Sequence, residues 1–264
     1  MKYTYEQLAK MIDHSLLHPT MTDQEMEDGC RLAAKYGVAS VCIKPYTVKR
    51  AAELLQSSGV LVGAVIGFPH GNSATESKRY ETELACLDGA AEIDMVINLG
   101  KALSGDWDYV ERDIKAVCDE AHRHGAKVKV IFENDYLTNG GAGLSSDDFK
   151  RKLCQISERA GADWVKTSTG YGFVKQSDGS YNYRGATEHD LKLMRASCSA
   201  TVQVKAAGGV RDLDGLIKAR DLGATRCGAT ATAAMLDEYR RREAAEKAGQ
   251  TPTGSKARMG KSGY

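Results

Sequence analysis

Short apolar runs alternate with amphipathic stretches along most of the chain, and this alternation predicts its secondary structure. Stretches such as "DQEMEDGCRLAAKY" and "WDYVERDIKAVCDEAHRH" carry apolar residues at intervals of three and four, which is typical of surface helices. In several places a glycine follows such a stretch and precedes a run rich in β-branched residues. Glycine accepts the left-handed conformation that ends a helix, so each such glycine predicts a helix-to-strand transition. These transitions are predicted at Gly37, Gly59, Gly89, Gly125, Gly161 and Gly223.

Two further apolar runs, at 10–17 and 200–207, fit strands that lack a preceding glycine and bring the predicted strands to eight. Eight strands that alternate with helices favour a (β/α)8 TIM barrel, an α/β fold, over the alternative of a doubly wound open sheet. The 264 residues suit one such barrel. We therefore expect a single barrel domain over residues 1–247 and a flexible basic tail over residues 248–264.

Side chains of a barrel strand alternate between the surrounding helices and the barrel axis, so the apolar positions of each run identify its outer face. Val128 and Val130 face outward, for example, and Lys129 between them then faces the axis. The same alternation points Lys166 inward, with Trp164 one layer below it. The inward set predicted in this way is Ser40, Cys42, Asp94, Lys129, Ile131, Glu133, Trp164, Lys166, Gln203 and Lys205.

Charged side chains on a barrel axis are unusual, because branched aliphatic residues normally fill that space and burial of a charge costs free energy. Catalysis at the C-terminal mouth of the barrel would explain the three inward lysines together with Asp94. The alternative is a structural network in which Asp94 pairs with one lysine and Glu133 with another. An amine is nucleophilic only when neutral, and lowering a lysine pKa from about 10.4 to about 7 requires about 4.6 kcal/mol. A second ammonium about 4 Å away supplies about 4 kcal/mol at an effective dielectric constant of about 20, so two neighbouring lysines suffice.

Composition and charge restrict the functional classes further. Apolar residues make up 42% and charged residues 27% of the chain, as in ordinary globular proteins. The sequence contains no signal-peptide core and no run of 18 uncharged apolar residues, so we expect a cytoplasmic location and no membrane partner. The seven cysteines include no C-x-x-C pair, which favours reduced thiols over disulfides or a zinc site. Residues 239–264 hold seven Lys or Arg and two Glu, which fits a helix end and a solvated tail better than a nucleic-acid partner.

Five stretches, "IDHSLL", "EIDMVIN", "WVKTSTGYG", "VKAAGGVR" and "GATRCGAT", together resemble the deoxyribose-phosphate aldolase family, in matching order over residues 8–238. The resemblance implies a class I aldolase on a (β/α)8 barrel that cleaves 2-deoxy-D-ribose 5-phosphate to acetaldehyde and D-glyceraldehyde 3-phosphate, with no metal or other cofactor. By position, Lys166 resembles the Schiff-base lysine, Lys205 its electrostatic neighbour, and Asp94 the carboxylate of the proton relay. Strand alternation alone does not rank the two lysines. The resemblance also implies a homodimer or homotetramer.

The phosphate group of a sugar phosphate commonly binds backbone N–H groups in the loops after the last two strands of a TIM barrel. Glycines and two threonines follow the sixth, seventh and eighth predicted strands here, and their convergence predicts the substrate site. The expected substrate-binding residues are Thr169, Gly170, Gly172, Gly208, Gly209, Gly228 and Thr230, together with Cys42 and Asp13, which lie at active-site positions of the family. For Cys42 the alternative is packing as a buried thiol, and for Asp13 an ion-pair or helix-capping role.

The sequence departs from the family pattern at several points. Thr230 and Ala231 stand where the family usually has serine at one or both positions, so one hydroxyl contact to phosphate is in question. The loops 134–148 and 171–187 look longer than in many relatives and would cover the mouth, form an oligomer contact or extend from the surface. The terminal Tyr264 could in principle fold back over the mouth, although chain ends are usually disordered.

Two other features bear on the choice of function. The "HRH" at 122–124 lies at a predicted helix C-terminus, where the helix dipole favours histidine, and we expect no metal there. The alternatives to the family's reaction are a Schiff-base aldolase or transaldolase for another sugar phosphate, and a phosphosugar-binding barrel without catalysis.

Overall fold

Eight parallel strands close into a barrel in the computed structural model, which describes residues 1–251, 254 and 259. The barrel order is β1-β10-β9-β6-β5-β4-β3-β2, and β7 pairs with β8 in a separate two-stranded hairpin. The strands are β1 (Ile12–Leu16), β2 (Ser40–Ile43), β3 (Leu61–Ile66), β4 (Glu92–Val96), β5 (Lys127–Ile131), β6 (Trp164–Lys166), β7 (Val174–Lys175), β8 (Tyr181–Asn182), β9 (Gln203–Ala207) and β10 (Ala224–Ala229). The parallel pairing of β1 with β10 closes the sheet, so the predicted (β/α)8 TIM barrel is confirmed and the open sheet is wrong.

Helices connect the strands and cover the barrel. They are α1 (Tyr5–Ala9), α2 (Asp23–Tyr36), α3 (Val48–Leu55), α4 (Thr75–Leu87), α5 (Leu99–Leu103), α6 (Trp107–Arg123), α7 (Ser146–Arg159), α8 (Glu188–Ser197), α9 (Leu213–Asp221) and α10 (Thr232–Lys247), with short 3-10 helices at Pro45–Thr47 and Asn134–Leu137. The predicted helix-ending glycines all have positive φ, from 64° at Gly37 to 109° at Gly89. Left-handed glycine therefore turns the chain from helix to strand at these points.

The main apolar core lies between the barrel and its helices, as the alternation of each strand predicts. Val128 and Val130 of β5 and Val204 of β9 are fully buried in this layer. The charged residues between them face the axis, where the register sets Lys166 beside Lys205. The sheet therefore separates an apolar layer on its outside from a charged layer on its inside.

The two long loops lie after β5 and β6, at the C-terminal mouth. The first starts with the 3-10 helix Asn134–Leu137 and ends at Ser145, the N-cap of α7. The second contains the hairpin, in which Val174 pairs with Asn182 and Lys175 with Tyr181. Strands of two residues are too short to show a hydrophobic period, so the sequence indicated only a loop.

The barrel elements end with α10 at Lys247. Most of the predicted tail, Tyr264 included, lies outside the described residues, so the tail and the role of Tyr264 stay predictions. None of the helices described here is long and apolar enough to cross a membrane.

Candidate active site

Asp94 lies at the centre of a buried charge cluster on the barrel axis. Its Oδ2 accepts hydrogen bonds from the side-chain nitrogens of Lys166, at 2.6 Å, and Lys205, at 2.7 Å. Its Oδ1 accepts one from Lys129, at 2.9 Å. These four residues come from β4, β5, β6 and β9, and each is at most 2% exposed. The structure thus brings together all the charged residues for which alternation predicted chemistry.

A second layer of charged residues lies below these four, toward the N-terminal ends of the strands. Asp13 of β1 pairs with Lys205 at 2.5 Å and with Arg226 of β10 at 2.5 Å. Glu92 of β4 pairs with Lys129 and with Arg226, both at 2.5 Å. Glu92 and Arg226 were missing from the predicted set, although alternation would have found both: each lies two residues before a position already placed on the axis or at its mouth.

The cluster holds one more cationic group than it holds carboxylates. The carboxylates are Asp13, Glu92 and Asp94, and the cationic groups are Lys129, Lys166, Lys205 and Arg226. Three ionised carboxylates balance three cations, and a fourth buried cation would be uncompensated. Charge balance therefore favours one neutral amine.

The environment of each lysine indicates which of the three loses its proton most readily. Burial lowers the pKa of Lys166, and the ammonium of Lys205 lowers it further, against the opposing effect of Asp94. Burial also acts on Lys205, but Asp13 and Asp94 together raise the pKa of Lys205 well above its usual value. The pKa of Lys129 is raised as well, since Asp13 and Asp94 outweigh its burial. Lys166 is thus the one of these three lysines whose pKa is lowered, a ranking that strand alternation could not supply.

The alternative to catalysis was a structural network in which Asp94 pairs with one lysine and Glu133 with another. Asp94 contacts three lysines rather than one. The carboxyl of Glu133 instead accepts hydrogen bonds from the backbone N–H and the hydroxyl of Thr169. Thr169 is therefore the partner of Glu133 in place of the lysine that this alternative required.

A cavity of about 360 Å³ opens at the mouth beside this cluster. Its volume is that of a small-molecule site. Six of the predicted substrate-binding residues line it: Thr169, Gly170, Gly208, Gly209, Gly228 and Thr230. The cavity floor is close to the charge cluster, because a Cβ on Gly228 would lie 3.6 Å from Cε of Lys205.

The other three predicted substrate residues lie behind the cavity wall. Asp13 is fully buried within the charge cluster, where its carboxylate pairs with Lys205. The thiol of Cys42 donates to Asp94 Oδ2 at 3.7 Å, and burial raises its pKa. Gly172 packs against Glu133, where a Cβ would lie 2.4 Å from the carboxyl carbon. Each of the three touches a residue of the site rather than the cavity.

The part of the cavity wall formed by Gly208, Gly209 and Ala231 has the features of an anion site. Gly208 and Gly209 adopt φ of 79° and 78°, which ordinary side chains rarely adopt. The sixteen-residue helix α10 begins beside them, and its N-cap Ala231 makes no side-chain cap. Free N–H groups and the positive end of the helix dipole attract anions at such a terminus.

The histidines of α6 each contact a carboxylate. Nε2 of His122 lies 2.9 Å from Asp163, and Nε2 of His124 lies 3.1 Å from Glu120. In the part of the chain that the structure describes, no group of three or more His, Cys, Asp or Glu is arranged to hold a metal ion.

Known proteins resemble this chain over most of its length. The model of the DeoC/LacD family of aldolases matches residues 7–235. A deoxyribose-phosphate aldolase of Rhodopirellula baltica is 48% identical over 96% of this chain and 98% of its own length. Deoxyribose-phosphate aldolase 1 of Bacillus licheniformis is 46% identical over 88% of this chain and 95% of its own. A solved structure of the tetrameric deoxyribose phosphate aldolase of Aeropyrum pernix superposes with a TM-score of 0.76 at 30% identity and covers 90% of this chain and 92% of that one.

Proposed function

The chain belongs to the DeoC/LacD aldolase family, and from this premise we propose that it is a class I aldolase for 2-deoxy-D-ribose 5-phosphate. It would cleave this substrate reversibly to D-glyceraldehyde 3-phosphate and acetaldehyde through a lysine Schiff base. The lowered pKa of Lys166, beside two lysines whose pKa values are raised, is the observation that carries this assignment. The names of the relatives at 46% and 48% identity support the substrate.

The neutral amine of Lys166 is the proposed nucleophile. In the direction of synthesis, its nitrogen attacks the carbonyl carbon of acetaldehyde, and loss of water gives an iminium ion. Loss of a proton from the adjacent carbon gives an enamine, which forms the new C–C bond to the aldehyde carbon of D-glyceraldehyde 3-phosphate. Hydrolysis of the second iminium releases the product and restores the amine.

Asp94 and Lys205 are the proposed partners of Lys166 in this reaction. Three lysines hold the pKa of Asp94 well below its usual value despite its burial, so its carboxylate stays ionised. Its Oδ2, 2.6 Å from the Lys166 nitrogen, would stabilise the iminium charge as it develops. Lys205 contacts the same oxygen and, as an ammonium, would donate and recover the protons of the dehydration step, with Asp94 and a water molecule completing the relay.

The cavity at the mouth is the proposed site of the phosphorylated part of the substrate. The N–H groups near Gly208 and Gly209 and at the start of α10 would bind the phosphate oxygens, with the hydroxyl of Thr230 as a further donor. Thr169 and Gly170 also line this cavity. This arrangement leaves the aldehyde end of the substrate toward the charge cluster.

Trapping with acetaldehyde and borohydride tests the proposal. After digestion, mass spectrometry should locate a reduced ethyl group on Lys166, and Lys166→Ala should lose both the adduct and turnover. The exposed Lys175→Ala is the matched control and should retain both. An adduct on another lysine would contradict the assignment of the nucleophile. An adduct on Lys166 without cleavage of 2-deoxy-D-ribose 5-phosphate would indicate an aldolase or transaldolase for another sugar phosphate, and phosphosugar binding with neither would indicate a binding barrel.

We further propose that the protein is a homo-oligomer, because the Aeropyrum pernix relative is described as tetrameric. Light scattering after size exclusion distinguishes the homodimer from the homotetramer. The cytoplasmic location stays a prediction from the sequence, which the seven free cysteines fit.

A further inference from the structure

The segment that follows β5 has an unusual backbone. Glu133 adopts φ of 55°, and it is one of three non-glycine residues with positive φ in the described part of the chain. Such conformations are uncommon for residues with a side chain and are often found where function requires a defined geometry. The conformation leads directly into the 3-10 helix Asn134–Leu137. It sets the side chain of Glu133, which is 1% exposed, against the loop that follows β6.

Glu133 holds the first turn of that loop. Its carboxyl accepts from the backbone N–H of Thr169, at 3.2 Å to Oε2, and from the hydroxyl of the same residue. The hydroxyl oxygen of Thr169 in turn accepts a hydrogen bond from the backbone N–H of Tyr171 at 2.9 Å. Thr169 and Tyr171 both line the cavity, so a buried carboxyl fixes one of its walls from behind.

Asp135, two residues later, holds the other end of the same loop. Its two carboxylate oxygens accept from the N–H of Arg184 at 2.6 Å and of Gly185 at 3.0 Å. Gly185 lies so close to the proposed phosphate turn that a Cβ on it would be 2.5 Å from the carbonyl of Gly208. The N–H of Ala186 also donates to the Gly208 carbonyl at 3.0 Å. A displacement of 184–186 would therefore move the phosphate turn.

The hairpin between these two ends adds an aromatic wall to the cavity. The hydroxyl of Tyr136 donates to the carbonyl of Phe173 at 3.4 Å, which is a third contact from the segment after β5. The ring of Phe173 packs edge to face on Tyr183, with centroids 5.4 Å apart, and Tyr183 lines the cavity. The mouth loop, defined here as residues 169–185, thus lines the cavity at its start, with Thr169, Gly170 and Tyr171, and near its end, with Tyr183.

We propose that Glu133 and Asp135 are positioning residues that fix both ends of the mouth loop and so set the shape of the cavity for the phosphorylated substrate. They act through Thr169 and Gly185 rather than by touching the substrate. The identity of that substrate rests on the proposed function. The two carboxyls come from one segment, so a single backbone geometry after β5 controls two walls of the site.

The ionisation of Glu133 gives this arrangement a pH dependence. Burial raises the pKa of Glu133 to about 7, against the hydrogen bonds from Thr169, and the neighbouring charged groups are Asp135 and Lys166. Tyr136 is the other titratable group beside it. Opening of the loop would hydrate Glu133 and return its pKa toward about 4.3, so proton binding favours the fixed loop. The fixed loop should lose stability as the pH rises through 7, and KM should rise with it.

The experiment compares KM and kcat for 2-deoxy-D-ribose 5-phosphate in variants of the full chain. Asp135→Ala removes the acceptor of two N–H groups, and we expect KM to rise about 10-fold with kcat within about 3-fold, because a hydrogen bond to a charged group contributes at least that much. Asp135→Asn keeps the volume and one acceptor, and its rise in KM should be smaller. The matched control is Asp178→Ala, which removes a carboxylate that accepts from Ser180 at the hairpin tip and should leave KM unchanged.

Glu133→Gln isolates the pH effect, because its amide oxygen still accepts from Thr169 and its amide stays neutral. KM of the variant should stay near the low-pH value of the wild-type protein between pH 6 and 8. The substrate phosphate, with a pKa of about 6, titrates in both proteins, so the ratio of their KM values reports on Glu133 alone. A constant ratio, an unchanged KM in Asp135→Ala, or a loss confined to kcat would each overturn the positioning role.

A wild-type protein that does not cleave 2-deoxy-D-ribose 5-phosphate would refute the proposed function alone. The positioning role is then decided by calorimetric titration with inorganic phosphate. Binding about 10-fold weaker in Asp135→Ala than in the wild-type and Asp178→Ala proteins supports it, and equal binding in all three overturns it.

Discussion

Replacing Lys205 by methionine removes one ammonium from beside the proposed nucleophile while keeping most of the side-chain volume. Lys205 and Lys166 donate to the same oxygen of Asp94, at 2.7 and 2.6 Å. Their nitrogens are therefore on the order of 5 Å apart at most, and at an effective dielectric constant of about 20 they repel each other by about 3 kcal/mol. This repulsion adds to the burial that lowers the pKa of Lys166.

The loss of that repulsion changes how much of Lys166 is neutral. Each 1.36 kcal/mol corresponds to a factor of ten, so about 3 kcal/mol lowers the neutral fraction at a fixed pH by about 100-fold. The response of Asp94 acts in the same direction, because a carboxylate with one fewer cation attracts the remaining ammonium of Lys166 more strongly. The rate of adduct formation at pH 7 should therefore fall by about 100-fold.

The assay is the initial rate of borohydride-trapped adduct formation with acetaldehyde as a function of pH. The rate of the Lys205→Met variant should recover as the pH rises, with its midpoint above that of the wild-type protein. The matched control is Lys129→Met, which removes an ammonium from the other oxygen of Asp94, at 2.9 Å, and should move the midpoint less. A variant that is slower at every pH with an unchanged midpoint would refute the electrostatic role of Lys205.

Two further changes test the anion site and the packing of the barrel. Ala231→Ser adds a hydroxyl donor for phosphate at the start of α10, so KM should fall about 5-fold in steady-state assays, and an unchanged KM would place the phosphate elsewhere. Asp113→Ala leaves the ammonium of Lys78, now 2.5 Å from Asp113 and fully buried, without its partner. Urea denaturation should show a loss of about 3–5 kcal/mol, and a loss below about 1 kcal/mol would contradict a buried ion pair between α4 and α6.

The sequence predicted the barrel because its signals are local. The glycine that precedes six of the strands and the alternation within the strands involve neighbours along the chain, and both patterns agree with the eight strands of the barrel. Alternation also placed Asp94, Lys129, Lys166 and Lys205 on the axis. Glu92 and Arg226 obey the same alternation but were missed. They lie one layer below Asp94 and Gly228, and the prediction covered only residues near the C-terminal mouth.

The hairpin of β7 and β8, and the contacts that Glu133 and Asp135 make with the mouth loop, could not be predicted in this way. Val174–Lys175 and Tyr181–Asn182 are too short for a period to show, and the pattern of 171–187 indicates only a loop. Glu133 lies just after β5 and its partner Thr169 lies 36 positions further along the chain, so no local signal joins them.

The sequence by itself determined which side chains face the barrel axis, because the strand period fixes that choice within each strand. Only the tertiary structure decided their charge states. Asp94 and Lys205 are 111 positions apart, and their 2.7 Å contact exists only once the barrel closes. The number of carboxylates and cations in the cluster, and so the ranking of Lys166 below Lys205 in pKa, depends on distances among six strands and on burial. Electrostatic energies depend on distance and solvent exposure, and neither quantity is local in the sequence.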